Sequence, residues 1–359
     1  MRRLQKIIKT LSEAIGVSGN EGEVRRIMSE YLRPHVDEVR VDMLGNLIAI
    51  KKGKIDAPRI MLAAHMDEIG LVVKFINDKG FIKFARVGGI HFSTLVNRRI
   101  VVHTEKGPIR GVIGIRPPHL QREVDDKDPD LFIDVGATSK KNVEAMGITV
   151  GDYITFDQHF EVLGAPNIIT GKALDNRIGC AVLVETVRQL KDSDCTIFAV
   201  GTVQEEVGLK GARVAAYGLK PTLAIALDVA VSADFPGVEL HMAPVKLGAG
   251  PVIILMEAGG RGTITHPAVK HLLVDAGKAK KLPYQLKVSE GGQTDAAMIY
   301  LSREGIPSGV LSVASRYIHS PIEVASLKDM ENAVTLLVEA IKAVPANTEF
   351  ASEPSIVLQ

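Results

Sequence analysis

The chain has little of several residue types, and each shortage narrows the range of functions. It contains no Trp, and aromatic residues make up only 4% of its 359 residues, so few side chains could stack against a sugar ring. Cysteine occurs only at Cys180 and Cys195, both in apolar surroundings. Two buried cysteines favour a reducing compartment over a disulfide framework. We therefore expect a cytoplasmic protein.

Neither sign of charge is in excess. The 43 Lys and Arg residues balance 42 Asp and Glu residues, which leaves no basic field for nucleic acid and no acidic tail. No apolar run is long enough to span a bilayer, and residues 1–8 resemble the opening of an amphipathic helix rather than a signal peptide. We therefore expect neither a nucleic-acid partner nor a membrane partner. With 46% hydrophobic residues the chain can bury a large core.

Apolar periodicity predicts strands that alternate with helices. Helical spacing runs through residues 4–11 and 21–32, with Asn20 as a possible cap for the second helix. The same alternation returns beyond Gly164. Its segments are a helix at 178–190, a strand at 196–203, a helix at 209–217, a strand at 223–227, a strand at 309–313 and a helix at 327–344.

The stretch between these segments has a different sequence pattern. From about Leu71 to Val162 short β-rich segments are separated by turn signals at 78–80 and 106–108. We therefore predict an α/β fold whose sheet is interrupted by an all-β insert. The predicted boundaries are 1–69 for the first part of the catalytic domain, 70–164 for the insert and 165–359 for the second part.

Two adjacent glutamates, Glu205 and Glu206, stand where an apolar segment stops and glycines begin. On a strand, neighbouring side chains point to opposite faces, so one carboxylate could bind an ion while the other works beside it. An isolated pair of glutamates is more commonly solvated. The functional interpretation therefore depends on other residues at strand ends.

Five such residues are candidates. His65 ends an apolar run, and Asp67 shares its face at i+2, so Asp67 could orient the imidazole. Asp175 precedes a helix, where N-capping is an equally good explanation. Asp228 and His319 each follow an apolar strand.

Side chains at the carboxyl ends of strands in an α/β sheet can meet in one crevice. Nitrogen and carboxylate ligands suit Zn²⁺ or Co²⁺, and the absence of thiolates argues against a structural zinc site. Two histidines and three carboxylates exceed what one tetrahedral ion with an open position uses. The pattern predicts two divalent ions per subunit with a bridging carboxylate.

Five motifs resemble, in order, those of the M42 family of metalloaminopeptidases, the tetrahedral-aminopeptidase or glutamyl-aminopeptidase-like group. The resemblance covers nearly the whole chain, including the insert. The motifs are His65-Met-Asp67-Glu-Ile-Gly, Ala173-Leu-Asp175-Asn-Arg, Val203-Gln-Glu205-Glu206-Val-Gly, Ala226-Leu-Asp228 and Tyr317-Ile-His319-Ser-Pro.

The resemblance implies an α/β/α zinc-peptidase-type catalytic domain, a barrel-like insert that dimerises, and a homo-oligomer in which dimers form a tetrahedral dodecamer acting on short peptides. It also implies roles for the site residues. His65 and Asp228 would ligate separate ions, Asp175 would bridge them, Glu206 would share the ion held by His319, Glu205 would be the general base, and Asp67 would orient His65.

Substrate contacts are harder to assign. The resemblance points to the loop at 114–122, with Gln121 as a candidate that reaches a neighbouring active site. Gln293 and His266 lie in segments expected to line the substrate pocket. Arg261 could pair with an acidic side chain and give a glutamyl preference, although an exposed arginine is the plainer explanation. We lean towards neutral, apolar N-terminal residues.

Three other functions compete. A glycosidase would place its two carboxylates about 5 to 9.5 Å apart across the bond, and that interpretation leaves both histidines unexplained. A dimetal amidohydrolase such as a deacetylase would use a similar site. A non-enzymatic assembly protein would bind no metal.

Overall fold

The computed structural model describes residues 2–54, 58–117, 119, 130–191, 193–239, 241–344 and 350. Within that part of the chain the strands form one mixed sheet and one closed barrel. The barrel is inserted between two strands of the sheet, β3 (Arg59–His65) and β10 (Glu161–Val162), and β11 (Ile168–Gly171) follows β10 along the chain.

The mixed sheet has four neighbouring strands that carry the catalytic candidates. Their order is β12 (Thr196–Thr202), β3, β13 (Leu223–Val231) and β16 (Ser308–Arg316), all parallel. Their carboxyl ends therefore meet at one edge. The sheet's other strands are β1 (Glu38–Val41), β2 (Leu47–Lys51), β10 (Glu161–Val162), β11, β14 (Val252–Met256), β15 (Gln285–Val288) and β17 (Glu323–Ser326).

Helices cover both faces of this sheet because the central strands are apolar on both sides. Along β3, Ile60 and Leu62 face one cluster of core residues, and Met61 and Ala63 face another. The first cluster packs under α1 (Arg2–Glu13), α2 (Gly22–Leu32), α4 (Leu174–Gln189), α6 (Pro267–Ala279) and α8 (Leu327–Lys342). The second packs under α5 (Lys210–Leu219) and α7 (Ala296–Ile299).

The barrel has its own core, which includes Leu71, Val102 and Ile154. Its strands run in the order β4, β5, β8, β7, β6, β9 and close antiparallel. Their bounds are β4 (Gly70–Ile76), β5 (Ile82–Val87), β6 (Arg99–Thr104), β7 (Gly107–Gly114), β8 (Phe132–Asp134) and β9 (Tyr153–Phe156), and the short helix α3 (Lys140–Ala145) precedes β9.

The predicted fold class, an α/β/α domain with a barrel-like insert, is confirmed. The boundaries at 1–69, 70–164 and 165–359 stay a prediction. Among the described residues no helix is long and apolar enough to cross a bilayer.

Three local predictions were wrong. Asn20 does not cap α2, because the residue at the N-cap is Glu21. Asp228 lies inside β13, which runs on to Val231, rather than beyond a strand that ends at Leu227. Glu205 and Glu206 follow β12 in a turn, so the alternation of side chains along a strand does not separate them.

Gly211 in the first turn of α5 is a point where backbone and side chain approach too closely for a larger residue. A Cβ atom there would lie 2.3 Å from Asn46 Oδ1 and 2.5 Å from both Val203 N and Val203 O. Near the other end of the same helix, a Cβ on Gly218 would meet nothing within 4 Å. The two glycines therefore form a matched pair.

We predict that Gly211→Ala lowers the free energy of unfolding by at least about 2 kcal/mol, because the crowded Asn46 and Val203 contacts must open. Gly218→Ala should be neutral or add up to about 1 kcal/mol through helix propensity. Urea unfolding followed by circular dichroism gives both values. Equal effects of the two substitutions would contradict this account of Gly211.

Candidate active site

Strand order brings the predicted ligands together. His65 is the last residue of β3, and Asp228 lies near the carboxyl end of β13, the neighbouring parallel strand. Asp175 comes from the irregular first turn of α4, where its backbone and that of Asn176 are not helical. The sequence left open whether Asp175 caps the N-terminus of this helix. It does not, since no side-chain cap bond is formed there.

His65, Asp175 and Asp228 form one group of ligand atoms. His65 Nε2 lies 3.1 Å from Asp175 Oδ1 and 3.8 Å from Asp228 Oδ1, and all three side chains are buried. One ligand atom from each lies within 4.8 Å of the others. This spacing and donor set fit one divalent cation.

Asp175, Glu206 and His319 form a second group within the same distance limit. His319 Nε2 lies 3.7 Å from Asp175 Oδ2 and 3.5 Å from Glu206 Oε2. Asp175 thus offers one oxygen to each group. The resemblance implied that His65 and Asp228 ligate separate ions. The structure instead places these two side chains, which come from adjacent strands, in the same group.

Buried oxygen atoms without partners show that the residues fit cations. Asp175 Oδ1 and Glu206 Oε1 are both buried without a hydrogen bond. Burial, and the neighbouring Asp175 charge, raise the pKa of Glu206 well above its usual value. Burial works to lower the pKa of His65, but the negative charge of Glu205 and the close carboxylates of nearby aspartates outweigh it and raise that pKa. Such concentrated negative charge is stable only when neutralised.

Glu205 stands beside the first group without belonging to either. Its Oε2 lies 3.9 Å from His65 Nε2. Burial raises the pKa of its carboxyl well above the usual value, although the charge of His65 works in the opposite direction. A buried carboxyl that stands beside the ligand groups without joining them is placed to take and give a proton.

Asp67 holds the turn that carries both glutamates. Its Oδ1 accepts a hydrogen bond from Glu205 N at 3.0 Å, and its Oδ2 accepts bonds from Glu206 N at 3.1 Å and from Ser18 Oγ at 2.6 Å. The distance from Asp67 Oδ1 to His65 Nδ1 is 3.5 Å, longer than these bonds. Asp67 therefore contacts the Glu205–Glu206 backbone more closely than it contacts His65, the residue that it was predicted to orient.

The preceding N–H groups of this turn are also bound by side chains. Gln204 N donates to Glu21 Oε1 at 3.2 Å, and Val203 N donates to Asn46 Oδ1 at 3.0 Å. Gln204 has a φ of 56°, a left-handed conformation that such bonds help to hold. Four consecutive N–H groups are therefore fixed by side chains from elsewhere in the chain. Neither Glu21 nor Asn46 was predicted, because no local pattern marks a side chain that bonds a distant turn.

The barrel reaches the second group through two glycines. His319 Nδ1 lies 2.9 Å from Gly89 O, which orients the ring so that Nε2 faces Glu206. A Cβ on Gly88 would come within 3.3 Å of Glu206 Oε2, and one on Gly89 within 2.8 Å of His319 Nδ1. Glycine permits this close approach.

Glu323 is a further buried carboxylate that the sequence did not single out. Its Oε2 accepts a bond from Asp175 N at 2.7 Å. Burial and the Asp175 charge raise its pKa well above the usual value. It fixes the backbone of the residue shared by the two groups.

The four predicted substrate contacts have different outcomes. A cavity of about 960 Å³ opens onto His65, Asp175, Glu205 and Asp228, and Gln293 lies on its wall. The described lining of this cavity includes neither His266 nor Arg261.

His266 lines a different cavity, where its Nδ1 accepts a bond from Ala268 N at the start of α6. Arg261 is exposed. Gln121 lies outside the described residues.

The sequence model of the M42 glutamyl aminopeptidase family matches residues 45–336. The chain belongs to the M42 peptidase family. An aminopeptidase of the archaeon Desulfurococcus kamchatkensis superposes with a TM-score of 0.95 at 42% identity, over 100% of this chain and 99% of that one. The lysyl aminopeptidase of Pyrococcus furiosus is 36% identical over 94% of this chain and 97% of its own.

A second similar structure is that of the Pyrococcus horikoshii TET1 peptidase, which can assemble into a tetrahedron or a large octahedral shell. It superposes with a TM-score of 0.84 at 33% identity, over 95% of this chain and 100% of that one. This M42 peptidase is therefore a hydrolase, specifically an aminopeptidase. Members of its family are generally dependent on metal ions.

We predict that Asp67→Asn lowers kcat/KM at least about tenfold, because the amide cannot accept all three of the bonds that the carboxylate accepts. Metal content should change less than turnover. Steady-state kinetics and elemental analysis measure both. Asp152→Asn, which alters a carboxylate that accepts Thr149 N in the barrel, is the control, and an equal loss of kcat/KM there would contradict a specific role for Asp67.

Proposed function

We propose that this M42 peptidase is a dinuclear metal-dependent aminopeptidase that removes N-terminal residues from short peptides. The observation that carries the proposal is the position of Asp175, whose two carboxylate oxygens face two separate sets of ligand atoms. One cation would be held by His65, Asp175 and Asp228, and the other by Asp175, Glu206 and His319. The donor set suits Zn²⁺ or Co²⁺.

When bound, two such cations lower the pKa of a water molecule and polarise a carbonyl group. The protein's own contribution is the movement of the proton. Glu205 lies beside the first group without a place in it, so its carboxylate is free to take the proton of the attacking water and to deliver it to the leaving amine. The turn fixed by Asp67 keeps this carboxylate in place.

The surrounding charge supports a preference for chain ends. Glu205 and Glu257, which belong to neither ligand group, line the cavity with acidic side chains, and these attract the protonated α-amine of a peptide more strongly than an internal amide. This favours an aminopeptidase over an endopeptidase. A deacetylase with a similar site would prefer acyl-amino acids, so a panel of these against aminoacyl-nitroanilides, with Zn²⁺ and Co²⁺ in turn, tests the proposal.

We infer the preferred N-terminal residue from the side chains of the cavity wall. Met242, Ile254, Val288 and Ile318 line it and support the neutral, apolar residues towards which the sequence leans. Arg261, the candidate for an acidic preference, is not part of the described lining. The described lining does include one basic residue of the lysine or arginine type, Lys287.

We also propose that the protein forms a tetrahedral dodecamer built from dimers through the barrel, as the resemblance implied. The likeness to a peptidase that can assemble into a tetrahedron or an octahedral shell supports this. A location in the cytoplasm stays a prediction from cysteine usage.

We predict that Glu205→Gln keeps the metal and lowers kcat about 100-fold or more, because it removes the proton acceptor without removing a ligand. Elemental analysis and steady-state kinetics with leucine nitroanilide check the two parts. Glu144→Gln, on an exposed position of α3, is the control and should behave as the wild type. Near-normal turnover by Glu205→Gln would exclude Glu205 as the base.

For Asp175→Asn we expect weaker binding of both cations, because one carboxylate oxygen is lost from the residue common to the two groups. Titration with Zn²⁺ after dialysis against a chelator should show both sites weakened about 10-fold or more. Asp78→Asn in the exposed β4–β5 turn serves as the control. Full occupancy of two ions after dialysis would rule out the shared role.

A further inference from the structure

Three charged side chains are buried close to the ligand residues without lining the catalytic cavity. Glu68, Lys172 and Arg177 are 1%, 4% and 0% exposed, and none of them belongs to the described cavity wall. Burying a charge is costly unless the group is paired and hydrogen-bonded. The proposed mechanism uses none of the three, so their burial needs another explanation.

The three side chains form one ion-paired cluster, which we call the buried triad. Lys172 Nζ lies 2.8 Å from each carboxylate oxygen of Glu68, and Arg177 Nη2 donates to Glu68 Oε1 at 3.1 Å. The cations also reach main-chain oxygens. Lys172 Nζ donates to Ala14 O at 2.8 Å, and Arg177 Nε donates to Leu11 O at 3.1 Å. The buried charges are therefore paired and bonded.

The buried triad joins the two segments of the chain that carry His65 and Asp175. Glu68 follows His65 by three positions, and Lys172 and Arg177 stand on either side of Asp175. The bonds from Glu68 to the two cations thus tie the segment after β3 to the start of α4. This tie keeps His65 Nε2 and Asp175 Oδ1 close to each other, at 3.1 Å.

Arg177 makes the most direct link to His65. Its Nη1 donates to the carbonyl oxygens of Met66 and Asp67, the latter at 3.1 Å. His65 Nδ1 lies 3.3 Å from the same Asp67 oxygen, nearer than the Asp67 carboxylate at 3.5 Å. A metal-binding histidine commonly donates its second ring N–H to a carbonyl, which fixes the ring and leaves the other nitrogen for the ion. Arg177 therefore holds the acceptor that orients His65.

We propose that Arg177 is a positioning residue for the first ligand group, the one formed by His65, Asp175 and Asp228. Its guanidinium fixes the carbonyl that aims His65 Nε2, and the other two residues of the buried triad hold the guanidinium in place. The inference rests on the proposed dinuclear function and adds the means by which one of its two cation sites keeps its shape.

The second ligand group is oriented in a different way. The ring of His319 is aimed by Gly89 O, a carbonyl of the barrel. Within the described part of the chain, Arg177 donates to residues 11 and 66–68 and not to this carbonyl. Loss of the Arg177 contacts should therefore weaken the first group more than the second.

Titration of the metal-free protein with Co²⁺, followed by calorimetry and visible absorption, tests the proposal. We expect two binding steps in the wild type, and His65→Ala and His319→Ala assign one step to each group. Arg177→Lys keeps the charge but replaces a planar fork of five donors by three donors on a flexible stem. It should weaken the His65 step about 10- to 100-fold and the His319 step less than about threefold. Arg26→Lys, which alters an exposed arginine paired with Glu30, should change neither step.

A second variant displaces the guanidinium without altering it. A Cβ atom on Gly16 would lie 2.6 Å from Arg177 Nη2 and 2.8 Å from Val24 Cγ2, whereas a Cβ on Gly22 would meet nothing nearer than 3.7 Å. Gly16→Ala should therefore also weaken the His65 step, and Gly22→Ala should not. Circular dichroism of the metal-free proteins shows which variants fold, and the glycine pair decides if Arg177→Lys does not.

The titrations separate failure of this inference from failure of the proposed function. Two steps in the wild type that are unchanged, or equally weakened, in Arg177→Lys and Gly16→Ala would overturn the role of Arg177 alone. A single step that His65→Ala removes and Arg177→Lys weakens would support that role and reject the dinuclear function. A wild type that binds no Co²⁺ would reject both.

Discussion

Mutual repulsion between buried carboxylates governs the construction of the catalytic end of the sheet. Acidic side chains from β12, β13, α4 and the β3–β4 connection converge there, and each loses most of its water. Anions in such a place must be protonated, hydrogen-bonded or paired with cations. Different carboxylates in this protein are stabilised in different ways. The way in which each one is stabilised determines whether it can take part in chemistry.

Asp67 and Glu21 are satisfied by backbone N–H groups, so they serve as fixed anchors. Asp175 and Glu206 keep bare buried oxygens and remain available to ions. Glu205 has its backbone held while its carboxyl stays free, the arrangement a general base requires. The main chain of the turn is therefore held rigidly, while the carboxylate side chains remain available to react.

Much of this could be predicted from the sequence, and the limits have physical causes. The apolar runs ending at His65 and Asp228 mark parallel strands, so the meeting of their side chains follows from topology. The turn at Glu205 could not be located, because it depends on bonds to the side chains of Asp67, Glu21 and Asn46, residues more than a hundred positions away. Likewise Lys287 reads as an ordinary exposed lysine until the sheet shows which face it takes.

The contact between Gly89 and His319 has a consequence for protein engineering. The barrel supplies the carbonyl that aims this ring, so the insert cannot be cut out to leave a smaller working peptidase. A chain reconnected from β3 to β10 would retain the sheet and its helices, yet the imidazole would be free to rotate away from Glu206. Miniaturised or domain-swapped versions of this scaffold would have to bring along a replacement acceptor for that single N–H.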